Sequence, residues 1–212
     1  VVEIRSTTNQ VDDLLAELAV EAFAHTAWYD SAIYAYLRGQ LPFGAEALLP
    51  DRLVLQVSQV LGRPFEEVHG AIYHKELLLP LELGHIKPET YFQELKDRLN
   101  LPWTYDQFVR SWNGIFRENE YVTSLMQRLR RRHKLIALSN TNVLHLEYIK
   151  SSFPSLSVFD HWVASCDVGL RKPDPQIYLL AAERAGVRPS NAIYIDDRPE
   201  LVEAGRGAGL TA

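Results

Sequence analysis

Three short stretches hold side chains that could act together on an anion. LIALSNTN (residues 135–142) ends an apolar run with a hydroxyl and an amide, Ser139 and Asn140. GLRKPDPQIY (169–178) carries Lys172, and AIYIDDRPE (192–200) ends a β-branched run with two adjacent carboxylates, Asp196 and Asp197. A hydroxyl beside backbone N–H groups can hold a phosphoryl or carboxylate oxygen. A lysine adds a compact positive charge with three donors. Two carboxylates suit a hard cation such as Mg²⁺, which prefers oxygen ligands and keeps several waters. The combination fits a phosphate monoester, neutralised by cation and lysine and oriented by hydroxyl and amides. Each piece alone also has an ordinary reading: Ser139-Asn140 as a helix N-cap, RKPDP as a proline-rich turn, and Asp196-Asp197 as turn formers.

The elements that must position these residues follow from the pattern after Asn119. VTSLMQRLRRRHK reads as a helix, LIALS as a buried strand and LHLEYIKSSF as a helix. HWVASC then reads as a strand, PQIYLLAAERAG as a helix and AIYID as a strand. Such alternation predicts right-handed crossovers and a parallel α/β sheet. In these sheets ligands bind at the carboxyl ends of strands. Ser139-Asn140 and Asp196-Asp197 fall at two such ends, and Lys172 lies in the loop after a third. Upstream, residues 51–116 read as helical almost throughout, with Thr104 and Gln107 spaced as a capping box. VVEIRS reads as a short strand and residues 11–29 as an amphipathic helix.

Composition excludes several classes of function. The 212 residues are 47% hydrophobic and 23% charged, with a net charge of −5. That is ordinary for a globular chain and unlike a broad phosphate-backbone binding face, so no nucleic-acid partner is expected. A single cysteine, Cys166, allows no internal disulfide and carries no catalytic role in this reading. No apolar run approaches the ~18 residues of a membrane helix. The expectation is a cytoplasmic protein with no membrane partner. RLRRRHK (128–134) reads as a solvated helix end, and the seven histidines show no metal-ligand spacing. Trp103, Trp112 and Phe116 read as helical-core residues, with room for one aromatic to face the site.

LIALSNTN, GLRKPDPQIY and AIYIDDRPE, in this order, resemble three motifs of the haloacid dehalogenase (HAD) superfamily. The subfamily most resembled has an inserted helical cap and includes sugar-phosphate phosphatases and the phosphatase domain of soluble epoxide hydrolases. Similarity runs from about Pro42 to the end of the chain, and ELLLPLELGHIKPETYFQEL resembles that cap. The resemblance implies a Rossmann-like α/β core (1–43 and 119–212) with an α-helical cap (44–118). It implies phosphoryl binding by Ser139 with Asn140 beside it. Lys172 would steady phosphate and nucleophile, Asp197 would ligate Mg²⁺, and Asp196 would support the metal.

The family's first motif, an aspartate nucleophile followed two residues later by an acid/base, is not found. The register that fits the cap sets YLRGQL (36–41) in its place, with Tyr36 at the nucleophile and Arg38 at the acid/base. A rival register sets EIRST (3–7) there, giving Glu3 and Arg5, and Asp30 is the one nearby aspartate. A tyrosine with a reference pKa of about 10 is a weak anionic nucleophile at neutral pH, and an arginine cannot shuttle a proton. Arg38 could instead pair with Asp196 or Asp197 and displace Mg²⁺. Leu201 occupies a position where relatives often carry an asparagine or aspartate. The expected function is a HAD-like protein that keeps the phosphate shell without the attacking carboxylate, binding a small phosphorylated molecule or a protein partner. Two alternatives stay open: an active Mg²⁺-dependent phosphomonoesterase, and a purely structural protein whose crevice is filled by Tyr36 and Arg38.

Overall fold

The computed structural model describes Val2–Glu3 and residues 52–212. Asp30, Tyr36 and Arg38, and the helix expected over residues 11–29, lie outside these residues. Among the described residues from 52 to 113 five helices follow one another: α1 Arg52–Leu61, α2 Phe65–Ile72, α3 Lys75–Glu82, α4 Pro88–Leu99 and α5 Tyr105–Asn113. Their apolar positions recur at helical spacing and converge on one core around Val57, Ile72, Tyr91, Leu95, Phe108 and Trp112. Buried Tyr91 satisfies its hydroxyl by donating to the Ile72 carbonyl at 2.5 Å. The expected capping box forms: the Thr104 side chain accepts from the Gln107 N–H, and the Gln107 side chain accepts from the Thr104 N–H. Within the block read as helical almost throughout, PFEEVHGAIYHKELLL divides into two helices. His74 takes extended backbone at the start of α3, and its carbonyl accepts from both Leu77 and Leu78, at 3.0 and 2.9 Å.

The second half alternates as expected: α6 Glu120–Arg130, β2 Ile136–Ser139, α7 Val143–Ser152, β3 His161–Ala164, α8 Ser165–Val168, α9 Pro175–Ala185, β4 Ala192–Ile193 and α10 Pro199–Gly207. The protein is therefore a mixed α/β fold with parallel strand pairing. β2 and β3 run parallel, in register from Ile136 opposite His161 to Ser139 opposite Ala164. β4 pairs antiparallel with β1, Val2–Glu3, and in parallel with Thr211. Three boundaries differ from the expectation. The basic run ends its helix at Arg130, so Arg131 to Lys134 form the turn into β2. HWVASC leaves the sheet at Ala164, because the Ser165 hydroxyl turns to bond the Thr141 backbone in both directions at 2.9 Å. AIYID pairs regularly only through Ile193, although the Tyr194 N–H still reaches the Thr211 carbonyl at 2.7 Å.

Ile136, Val163, Ile177, Ala181, Tyr194 and Leu201 form the core beneath this half. Small residues at Ala181, Ala182 and Ala185, all buried, let α9 lie close to the strands. Two contacts join the halves beside Lys172: the Arg171 guanidinium pairs with Glu82 at 3.0 Å, and Gly84 packs directly on the Cys166 carbonyl. Among the described residues no helix is long and apolar enough to cross a membrane.

Candidate functional site

β2 delivers Ser139 to its carboxyl end, and the chain turns there through Asn140 and Thr141 into α7. Asn142 is the helix N-cap, with its side chain accepting from the His145 N–H at 3.1 Å. The expected N-cap pair, Ser139-Asn140, therefore lies before the cap and is available for other work. Asn140 uses both ends of its amide on the Lys172 backbone: Nδ2 donates to the Lys172 carbonyl at 2.9 Å, and Oδ1 accepts the Lys172 N–H at 2.7 Å. This clamp ties the end of β2 to the loop between α8 and α9. Its side chain is thus committed to the loop, leaving the Ser139 hydroxyl beside it as the polar side chain at the strand end.

Lys172 reaches from that loop to the third strand end. Its Nζ lies 2.6 Å from Asp196 Oδ2, with the two side chains only 10% and 8% exposed. The Tyr194 hydroxyl donates to the same oxygen, the Arg198 N–H donates to Oδ1 at 3.1 Å, and the Tyr194 ring lies 5.6 Å from the ammonium. Burial by itself would raise the Asp196 carboxyl. The Lys172 charge and the hydrogen bonds from Lys172, Tyr194 and Arg198 outweigh that and hold it below its ordinary value. The same burial and the adjacent carboxylate push the Tyr194 phenol well above the usual tyrosine range, so it remains a donor. Asp197, next in the chain, is exposed. Leu201 is buried in the core and offers no ligand atom.

The three strand-end stretches thus meet, and further partners that sequence reasoning did not single out complete the surroundings. Tyr194 had a signal: it precedes Asp196 by two residues in an extended stretch, the spacing that shares a face. The Thr141–Ser165 exchange and the Glu82–Arg171 pair had none, since each joins residues distant in sequence. On the other side of the α7 start, Asn142 Oδ1 accepts the Trp112 indole N–H at 3.3 Å. His145 stacks on Trp112 with ring centroids 5.0 Å apart.

The described donors do not make a Mg²⁺ site by themselves. Both Asp196 oxygens already accept hydrogen bonds from Lys172, Tyr194 and Arg198. Among the described residues no three His, Cys, Asp or Glu side chains gather as a ligand set. Asp197 offers an exposed carboxylate at this strand end, whereas dedicated Mg²⁺ sites combine carboxylates with ligand or water oxygens in near-octahedral order.

Comparison with known proteins gives one family and a consistent set of relatives. A sesquiterpene phosphatase from Aspergillus oryzae is 24% identical over 66% of this chain and 73% of its own. A phosphorylated carbohydrates phosphatase from Thermotoga maritima is 25% identical over 73% of this chain and 71% of its own. A HAD family enzyme from Bacteroides thetaiotaomicron, solved with magnesium and inorganic phosphate, superposes with a TM-score of 0.67 at 22% identity. That superposition covers 76% of this chain and 83% of the other, and carries the fold. The haloacid dehalogenase-like hydrolase family matches residues 86–209. Since that span is more than half of the 212 residues, and contains Ser139, Lys172 and both strand-end aspartates, the chain belongs to the haloacid dehalogenase-like hydrolases.

Proposed function

We propose that this chain binds a small phosphorylated molecule at the meeting point of Ser139, Lys172 and Asp196, and holds it without hydrolysing it. One observation carries the binding: Asn140 clamps the Lys172 loop to the end of β2 while the Lys172 Nζ meets Asp196 Oδ2 at 2.6 Å. A phosphate oxygen then meets donors already fixed in place, the Lys172 ammonium and the Ser139 hydroxyl. Binding rests on their direction more than on net charge, because Asp196 offsets Lys172. Helices α1–α5 serve as the cap (44–118) over the core (1–43 and 119–212). The absence of hydrolysis rests on the sequence alone: in the register that fits the cap, Tyr36 and Arg38 align with the family's nucleophile and acid/base, and a neutral phenol and a permanent cation leave the ester intact. No metal-dependent step is assigned, because both Asp196 oxygens are committed to Lys172, Tyr194 and Arg198.

The test is hydrolysis of p-nitrophenyl phosphate with Mg²⁺, alongside thermal unfolding with inorganic phosphate. Phosphate is expected to raise the melting temperature, since a ligand of the folded state stabilises it, and no turnover is expected. Turnover abolished by Asp197→Asn would overturn the reading. The relatives named as phosphatases favour a second one, an active phosphomonoesterase, for which Asp30 remains the candidate nucleophile, since Glu3 pairs opposite Ala192 at the end of β4 remote from Asp196. A beryllium fluoride adduct trapped on Asp30 would establish it.

A further inference from the structure

A cavity of about 230 Å³ lies between the five-helix half and the start of α7, and Asn140 belongs both to its lining and to the phosphate-site clamp. From the helical half Leu53, Leu78, Trp112 and Ile115 give it an apolar wall, with the Tyr73 phenol and the Glu82 carboxylate at the same side. We propose that it receives the body of the bound phosphomonoester, and that this body is a compact apolar group, a single aromatic ring or a hydrocarbon of that size, and not a sugar. The proposal rests on the phosphate-binding reading above and adds the class of ligand.

Size and polarity both point this way. An apolar protein cavity of about 150 Å³ takes up benzene, so this one has room for one ring carrying a substituent. The polar groups in the lining are largely spent on one another. Asn142 Oδ1 accepts from the Trp112 indole and the His145 N–H, and its Nδ2 faces His145 Nδ1 at 3.2 Å. Because an amide nitrogen only donates, His145 Nδ1 is the acceptor, and its Nε2–H is left to donate to the Trp112 carbonyl at 3.1 Å. Asn140 is committed to Lys172, and Glu82 is paired with Arg171. A sugar entering here would exchange water for aliphatic side chains and saturated amides, leaving hydroxyls unsatisfied. An aryl or alkyl group loses nothing of that kind and gains burial.

Isothermal titration of the full chain distinguishes the cases, with phenyl phosphate, glucose 6-phosphate, inorganic phosphate and phenol as probes. Phenyl phosphate is expected to bind at least about tenfold more tightly than inorganic phosphate or glucose 6-phosphate, a difference well within the reach of one buried ring. Ile115→Trp, which fills the cavity, should erase that gain and leave the affinity for inorganic phosphate unchanged, which also shows that the variant is folded. Leu78→Asn serves the same purpose should the larger side chain prevent folding. Glucose 6-phosphate binding as tightly as phenyl phosphate, or a smaller gain over inorganic phosphate, overturns the inference and leaves the phosphate reading standing. If no phosphate compound binds, the phosphate reading fails and phenol decides: saturable phenol binding lost in Ile115→Trp upholds the apolar cavity, and its absence overturns it.

Discussion

Lys172 and Asp196 form an ion pair in a nearly closed site. Removing one member of such a pair strands the other, and that loss exceeds anything the intact pair contributes. Lys172→Met is therefore expected to destabilise the protein by about 3–5 kcal/mol at pH 7, measured by urea unfolding, with Asp196→Asn in the same background recovering part of it. The pH dependence has a definite sign. The folded Asp196 carboxyl sits below its ordinary value, so its contribution is present above the unfolded value of about 3.9 and is lost as pH falls through the folded one. Without Lys172 burial dominates and the carboxyl shifts upward. The gap between variant and wild type should narrow as the solution is acidified, and a gap independent of pH would refute the pairing. Asp196 and Lys172 were both legible in the sequence as site residues. Their partnership was not, because 24 residues separate them.

α7 joins the two halves through its first turn, where Asn142 caps the helix and His145 packs against Trp112 and Phe116. Burial pulls the His145 imidazole down to about 4, with the Trp112 carbonyl bond acting weakly the other way. An unfolded histidine titrates near 6.5, so between about 6.5 and 4 the unfolded chain binds a proton that the folded one refuses. Stability is expected to be full above pH 6.5 and to fall by roughly 2–3 kcal/mol on the way to pH 4.5, from the linkage of about 1.4 kcal/mol per pH unit. Urea unfolding at pH 7 and pH 4.5 measures this, and His145→Gln should flatten the slope. An unchanged slope would remove His145 from the account. At the same scale the Thr104–Gln107 capping box was legible because both partners lie within four residues. The break at His74 was not, since residues 71–76 carry no glycine or proline to mark it.

The whole molecule depends on how closely the helical half approaches the α/β half. Gly84 has a φ of +70°, and a Cβ there would lie 2.3 Å from the Cys166 carbonyl oxygen, too close for any side chain. Gly84→Ala must both strain the backbone and part the two halves next to the Glu82–Arg171 pair. A loss of about 5–10 °C in melting temperature is expected, from roughly 2–3 kcal/mol in a chain of this size. Gly70 is the control: it is exposed inside α2 with nothing within 4 Å of its Cβ position, so Gly70→Ala should leave the protein equally or more stable. Equal effects at the two positions would show that the approach at Gly84 matters little to the fold.

The sequence by itself determined the alternation of strands and helices after Asn119, the helical block before it, the family, and the three strand ends that carry Ser139, Lys172 and the aspartates. The elements and strand ends are matters of period and spacing along the chain, which side-chain geometry converts directly into structure, and the family is a matter of motif resemblance. Only the tertiary structure decided that Asp196 neutralises Lys172 with Tyr194 as a third member, that Asn140 serves the Lys172 loop, and that Asn142, His145 and Trp112 spend their polar atoms on one another beside an apolar cavity. Each of those arrangements joins residues from different elements. No local pattern encodes them, because their partners are chosen by how closely packed elements come together and by the need to satisfy every polar group they bury.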